Sequence, residues 1–537
     1  MSLKISKSNV LLAVPAFLFA AYPFAVVGST NADSVFFDPN VAARFLILAW
    51  VSVGAALWAL RPVFREFHVR AVWLNWLLAM FMFYYPAMLF GRSHGMRFDV
   101  YTPAFAALFT IVAVAIATIV TRPWAPRARS PWPMIVAAVT VLGASVVQWV
   151  IIASPFSSAT WQQPADAIIR SATRVSNPPA PNRNIVYIVL DGLGSARTLR
   201  EQYELDISWF AEFLRAKGFH VPDEAHSNYA QTYLSLASTL NMSYLDDVAK
   251  AMGPDNTDRR PLFYLIQQNA LMSLAKRAGY RTIAVGSSFQ GTEHFANVDV
   301  CLCREYGLDT VELAAIDLTP LAPLPRDRWS FDAHRQKVLY SFGAIDEIRH
   351  AREPSFMFVH IVTPHPPFVF GPDGSARRTA TKPFLFADGN QFPGPRSEYQ
   401  AGYRDQLKFV LGRTKAIIES LLSGPGPEPV IIIHGDHGPG LHLVWESAEQ
   451  TNLEERLGIF AAYRFSGNLP FPHTISSPIN GARALATQYF GANLADLPDE
   501  SFFSGWERPY DFTPLPAANT NSVALAPETA RMGRIVR

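Results

Sequence analysis

Five stretches of about 20 apolar residues dominate the N-terminal part of the chain, and a helix of that length crosses the roughly 30 Å hydrocarbon core of a bilayer. They run Val10–Ser29, Val41–Leu60, Ala71–Phe90, Tyr101–Val120 and Met134–Ala153. Four of them carry no charged residue. The second holds Arg44 one turn in, where a long side chain can snorkel to the interface. The first is too long, and too closely followed by further apolar segments, for a cleaved signal peptide. Trp50, Trp58, Trp73, Tyr101, Trp132 and Trp149 recur near segment ends, where aromatic belts meet the headgroups.

The loops between these segments set an orientation. Lys4 and Lys7 precede the first, Arg61, Arg65 and Arg70 follow the second, and Arg122, Arg127 and Arg129 follow the fourth. The first loop holds Asp33 and Asp38 instead, and the third mixes Arg92 and Arg97 with Asp99. Positive charge at alternate loops puts the N-terminus in the cytoplasm. An odd number of spans then carries everything after Ala153 to the far side of an inner (plasma) membrane. Of the 537 residues, 50% are hydrophobic and 17% charged, with a formal net charge of +2, which excludes a nucleic-acid partner held by charge. Cys301 and Cys303 flank a single residue. That spacing suits no zinc ribbon or redox pair, fits two plain thiols better than a strained local disulfide, and leaves the compartment open.

Beyond the apolar region the pattern changes. Residues 154–182 end in Pro178, Pro179 and Pro181 and read as a juxtamembrane linker that partly folds on the membrane surface. From 183 to 509, short apolar runs alternate with amphipathic ones. Strands are expected over Asn184–Leu190, Thr282–Val285, Ser355–Val362, Pro429–His434 and Leu457–Tyr463, and helices over Leu262–Ala278, Tyr399–Leu422 and Asn480–Phe490. Residues 510–537 read as a loose tail. The fold class is therefore a five-helix transmembrane region over 1–153 followed by an α/β domain, its sheet mostly parallel with helices on both faces. In such sheets ligands sit beyond the C-terminal strand ends.

Those ends carry chemistry. Asp191-Gly192 follows NIVYIVL, Gly435-Asp436-His437-Gly438 follows PVIIIH, and Thr363-Pro364-His365 follows SFMFVHIV. Carboxylates and imidazoles at one sheet edge suit Zn²⁺ or Mn²⁺. Roughly forty residues beyond Asp191, Asn228–Ser238 offers hydroxyls at the start of a possible helix, whose N–H groups and positive dipole end would hold a phosphate. Thr232 is the favoured nucleophile, and Ser235, one turn on, its rival. His360, inside an apolar run, suits a hydrogen-bonded core histidine. His442 is evenly balanced between a site role and a structural one. Arg377, Arg378 and Lys382 read as a solvated basic loop.

The ordered set Asp191, Thr232, His365 and Asp436-His437 resembles the alkaline phosphatase and sulfatase superfamily. Five spans before the domain resemble, within it, the lipoteichoic-acid synthases and the phosphoglycerol and phosphoethanolamine transferases. The resemblance covers residues 183–505, including SPINGARALATQYFG, together with the membrane topology. It implies a divalent metal held by Asp191, Thr232, Asp436 and His437, a phospho-threonine intermediate on Thr232, and His365 acting on the phosphoryl group or the leaving oxygen. The implied reaction moves a phosphoethanolamine or phosphoglycerol head group from a phospholipid donor to a glycan or lipid acceptor. The chain departs from the pattern in three places. Thr-Tyr-Leu-Ser-Leu stands where sulfatases have C/S-x-P-x-R, and Asp191 stands where the transferases often have Glu. Any second metal site would have to draw on His360, His365 and His442. The alternatives are a phosphoester hydrolase of the same superfamily and a non-catalytic membrane binding or sensing protein.

Overall fold

The computed structural model describes residues 7–30, 39–96, 102–124, 131–152, 155–173, 178–308, 310–324, 326–377, 384–424, 426–466 and 475–515. Helices cover all five apolar stretches: α1 (Lys7–Thr30), α2 (Pro39–Ala59), α3 (Phe67–Phe81) with α4 (Tyr84–Ser93), α5 (Pro103–Trp124) and α6 (Trp132–Ile152). Three segments, Leu11–Ser29, Phe67–Ser93 and Pro103–Arg122, are long and apolar enough to cross a membrane, by length and composition. Two more, Ala43–Ala59 and Trp132–Ser145, are shorter apolar helices. The third stretch is broken rather than continuous. Pro86 has no N–H to offer the carbonyl four residues back, so the helix interrupts at Met82-Phe83 and restarts.

The segment after α6 is a helix, α7 (Pro155–Ala172). Trp161, Ala165, Ile168 and Ala172 lie on one stripe at helical spacing and are buried in the core of the α/β domain, and Tyr264 donates a hydrogen bond to Asp166 (2.7 Å). The α/β domain then runs β1 (Ile185–Leu190), α8 (Ala196–Tyr203), α9 (Ser208–Ala216), α10 (Thr232–Asn241), α11 (Asp246–Met252), α12 (Arg260–Gln267), α13 (Ala270–Arg277), β2 (Arg281–Val285), α14 (Gln290–Glu293), β3 (Val300–Leu302), α15 (Thr310–Asp317) and α16 (Arg326–Ile345). It continues with β4 (Ser355–Ile361), α17 (Arg396–Leu422), β5 (Val430–His434), α18 (Leu453–Leu457), β6 (Ala461–Arg464), α19 (Pro478–Phe490), β7 (Ser501–Phe503) and β8 (Thr513–Leu515).

The main sheet has the order β3-β2-β4-β1-β5-β6 and is parallel except for β6, which runs antiparallel to β5 at one edge. Along β1, Ile185, Tyr187 and Val189 enter the core on one face, and Val186, Ile188 and Leu190 the core on the other. Burial of both faces explains why the strands read as continuous apolar runs. Two expected elements differ. The helix expected over Leu262–Ala278 is two helices, because Asn269 caps α13 by accepting the Met272 N–H (2.8 Å). The strand expected over Leu457–Tyr463 begins only at Ala461, because Asn452 caps the short α18 that ends at Leu457. Cys301 and Cys303 are joined in a disulfide, in place of the two plain thiols expected.

The α/β domain meets the apolar helices through the segment 310–324. Val311 and Ala315 of α15 are buried against Phe24 and Val27 near the end of α1, and Ala322 is buried with Tyr84, Met88 and Ala106 of α4 and α5. Arg44 reaches across to the α/β domain. It forms a two-pronged pair with the fully buried Glu312 (2.7 and 2.6 Å) and a further pair with Glu305.

Candidate active site at the strand ends

Register builds the centre of the site. β1 lies between β4 and β5, with Leu190 level with Ile361 and Val189 level with His434. The residues that follow, Asp191 and Asp436, therefore emerge side by side where the strands end. The Gly192 N–H donates to Asp436 Oδ1 (3.0 Å), which leaves Asp436 Oδ2 pointing elsewhere. Asp436 Oδ2 and Asp191 Oδ1 are both buried without a hydrogen-bond partner. His437 Nε2 lies 3.3 Å from Asp436 Oδ2 and 3.5 Å from Asp191 Oδ1. His437 Nδ1 must donate to the Gly438 carbonyl (2.9 Å), so Nε2 carries the lone pair of the neutral ring. Burial, reinforced by Arg456, lowers the His437 pKa and keeps the ring neutral.

Thr232 is the first residue of α10, and its Oγ1 lies 3.0 Å from His437 Nε2. Gln231, at the cap position, does not cap the helix. Its amide donates to Ser504 and Gly505 instead, so the N–H groups of the first turn remain available to an anion. Ser235 is turned away from this centre. Its hydroxyl is buried and donates to the Asp436 carbonyl (2.7 Å), bracing the loop from below together with Ser227.

Asp191, Asp436 and His437 offer one ligand atom each, all within 4.8 Å of one another. Two buried carboxylates with unpartnered oxygens beside a neutral imidazole nitrogen are a costly arrangement without a cation, and a suitable one with it. The donor set thus fits a divalent metal. Burial alone would raise the Asp191 pKa, but the imidazoles of His365, His360 and His437 hold it below the usual carboxylate range.

His365 faces the same space, with its ring 6.1 Å from that of His437. Its Nδ1 donates to the Pro366 carbonyl (2.6 Å), leaving Nε2 free, 3.7 Å from Asp388 Oδ2. His360 lies beside Asp191, its Nε2 3.4 Å from Asp191 Oδ2 and its Nδ1 2.8 Å from the Thr292 hydroxyl. This is an orienting position behind a ligand. His442 is held away by the buried Glu455 (3.0 Å) and does not join the cluster. Arg377 pairs with Asp405, while Arg378 and Lys382 lie outside the described residues.

Three residues of the site were not picked out from the sequence. Asp388 and Arg456 form a fully buried ion pair (2.6 Å). The same guanidinium donates to the Ala230 carbonyl (2.8 Å) and the Gly438 carbonyl (3.3 Å), so one side chain ties the Thr232 loop to the His437 loop. Burial opposes ionisation of Asp388, but Arg456 and His365 keep its pKa below the ordinary value. The third is His334 of α16, buried with Nδ1 2.9 Å from Ser288 Oγ. No strand end marks any of the three; they lie in a loop, a five-residue helix and a helix interior.

Gly438 has no room for a side chain. A Cβ there would fall 2.0 Å from the Glu455 carbonyl and 2.7 Å from that of Gly458. Gly438→Ala is expected to cost about 3 kcal/mol of stability, read as a lower unfolding midpoint of the purified protein. An unchanged midpoint would contradict the close approach.

Two histidines give the domain an acid limit. Burial lowers His334 from 6.5 to about 3 and His434 from 6.5 to about 4. Both stay neutral in the folded chain, so their contribution is whole above pH 6.5 and shrinks as the pH falls towards 4, while only the unfolded chain takes up the protons. Each removes about 1.4 kcal/mol per pH unit in that window. Thermal unfolding of the detergent-solubilised protein should show a midpoint that drops steadily between neutral pH and about pH 5, with a shallower slope for His334→Gln.

No protein-family model matches the chain, and no curated protein matches its sequence. Among solved structures it is similar to the integral membrane protein lipooligosaccharide phosphoethanolamine transferase A from Neisseria meningitidis, at 14% identity, covering 90% of this chain and 96% of that one, with a TM-score of 0.37. It is similar to the C-terminal periplasmic domain of EcEptC from Escherichia coli in complex with Zn, at 12% identity, over 59% of this chain and 86% of that one, TM-score 0.38. A third is BT1596, a 2-O GAG sulfatase, at 13% identity, over 58% and 72%, TM-score 0.37. The structures it resembles are thus phosphoethanolamine transferases and sulfatases. At identities and scores this low, the functional reading rests on the residues of this chain.

Proposed function

We propose that the chain is a membrane-anchored, metal-dependent transferase of the alkaline phosphatase and sulfatase superfamily. It takes a phosphoethanolamine or phosphoglycerol head group from a phospholipid and hands it to a glycan or lipid acceptor. One observation carries this reading: the Thr232 hydroxyl, at the open N-terminus of α10, lies 3.0 Å from Nε2 of His437, which itself lies beside one unpartnered oxygen of Asp191 and one of Asp436.

Asp191, Asp436, His437 and the Thr232 oxygen would hold a divalent cation, Zn²⁺ or Mn²⁺. When bound, the cation supplies the positive charge that lowers the pKa of the Thr232 hydroxyl. The first-turn N–H groups of α10 bind the non-bridging phosphate oxygens. With its own proton already released to solvent, Thr232 Oγ1 forms a bond to phosphorus as the bond from phosphorus to the diacylglycerol oxygen breaks, and a proton held on His365 Nε2 passes to that oxygen. The acceptor hydroxyl then attacks the phospho-threonine, returns its proton to His365 and restores Thr232. Water in place of the acceptor makes the enzyme a hydrolase. The five apolar stretches span an inner membrane in this reading, with residues 1–153 as the membrane region and 183–509 as the catalytic domain on the extracytoplasmic side.

The test is mass spectrometry of the detergent-solubilised protein after incubation with phosphatidylethanolamine or phosphatidylglycerol. A head-group adduct on Thr232 that disappears on adding an acceptor is the expected result. An adduct elsewhere, or a protein that binds no divalent metal, would sink the proposal.

A further inference from the structure

The segment between β3 and α16 has surface that its own domain does not explain. Residues 310–324 are wedged among the ends of the apolar helices: Val311 and Ala315 against α1, Ala322 among α4 and α5. These contacts fall within about the last turn and a half of each helix, since Val27 precedes the end of α1 by three residues and Met88 precedes the end of α4 by five. Yet this stretch and the residues flanking it leave large apolar side chains uncovered. Leu308 is 37% exposed, Leu321 50%, Leu324 55% and Trp329 63%. Single exposed leucines are ordinary, but four large apolar side chains on one short stretch, flanking a wedge into apolar helices, are not. Continuity decides the occupant. A surface that adjoins α1, α4 and α5 at that depth borders whatever surrounds those helices.

We propose that Leu308, Leu321, Leu324 and Trp329 form a lipid-facing surface, by which the α/β domain itself is seated in the leaflet on its own side of the bilayer. The partner is the acyl-chain and headgroup boundary of that leaflet, with leucines in the chains and the indole at the headgroup level. Glu312, which would be costly at this depth alone, is neutralised by Arg44 from α2. The surface also leads to the site. Trp329 and His334 are five residues apart on α16, about 7.5 Å along the helix. Between them Phe331 packs on Phe384, and His334 stacks edgewise on Phe384 and Phe386. The lipid-facing surface and an imidazole buried near His365 therefore share one helix.

The proposal rests on the reading of the apolar helices as membrane spans, so the experiment tests the two separately. Leu321→Cys and Leu324→Cys are made singly in the full chain, labelled with an environment-sensitive fluorophore under non-reducing conditions, and reconstituted into vesicles of phosphatidylcholine carrying a brominated acyl chain. Ile111→Cys on α5 reports the spans, and Trp209→Cys on α9 reports an exposed apolar position of the domain. Labels at Leu321, Leu324 and Ile111 should lose most of their emission in brominated relative to ordinary vesicles, and the label at Trp209 should not. Quenching at Ile111 with none at either leucine overturns the lipid-facing surface and leaves the spans intact. No quenching at Ile111 overturns both. Quenching at Trp209 equal to that at the leucines also overturns the proposal, because the contact would not be local.

Discussion

Thr232→Ala is expected to lower turnover of a phosphoethanolamine or phosphoglycerol lipid by about ten-thousandfold or more, the scale of losing a covalent nucleophile. The substitution removes the hydroxyl that meets both His437 Nε2 and the open turn of α10. Ser235 cannot take over, because its hydroxyl is buried and engaged with the Asp436 carbonyl. Thr232→Ser should keep a measurable fraction of the activity. The alanine variant should unfold within a few degrees of the parent, since Thr232 is only part-buried and makes no cap bond. Head-group release measured on phospholipid in detergent micelles checks this; full turnover by Thr232→Ala would remove the nucleophile from the mechanism.

The second large effect has two readouts of opposite sign. Asp436→Asn should weaken divalent-metal binding by more than about 100-fold, a loss exceeding that of an outer-shell partner. The same substitution should make the chelator-treated protein more stable, by about 1–3 kcal/mol, because one of two convergent buried charges is gone. Asn keeps the oxygen that accepts the Gly192 N–H, so the loop geometry survives. Metal content by elemental analysis and unfolding midpoints with and without chelator separate the two. A variant that is less stable in both states would show that Asp436 serves packing rather than a cation.

The parts of the site that could be read from the sequence are those delivered by strands. Asp191, His365 and Asp436-His437 each follow a run of buried apolar residues, and a parallel sheet in register brings the ends of such runs together. Thr232 stood out for a different reason, as a hydroxyl where a loop turns into a helix. Arg456, Asp388 and His334 carried no such signal, because their role comes from tertiary contact across 68 residues in the first pair. His442, evenly balanced in the sequence, was undecidable there for the same reason: its Nδ1 pairs with Glu455, thirteen residues on. Of the fold, four of the five expected strands held within a residue at each end, while the fifth and the helix limits moved where a side chain local to the chain intervened, as with Asn452, Asn269 and Pro86. In residues 154–182 the prolines mark a linker at the C-terminal end, whereas Trp161, Ala165, Ile168 and Ala172 form the stripe that docks α7.

The wedge at 310–324 meets α1, α2, α4 and α5, so the α/β domain is braced against several apolar helices at once. A body braced against several helices has lost rotations that a single tether leaves it. Its open face keeps one bearing, and so Thr232 does not go out to meet a partner molecule. Whatever reacts there must travel to a stationary address, and the shape of the ground between the helices and α16 becomes a filter on what arrives.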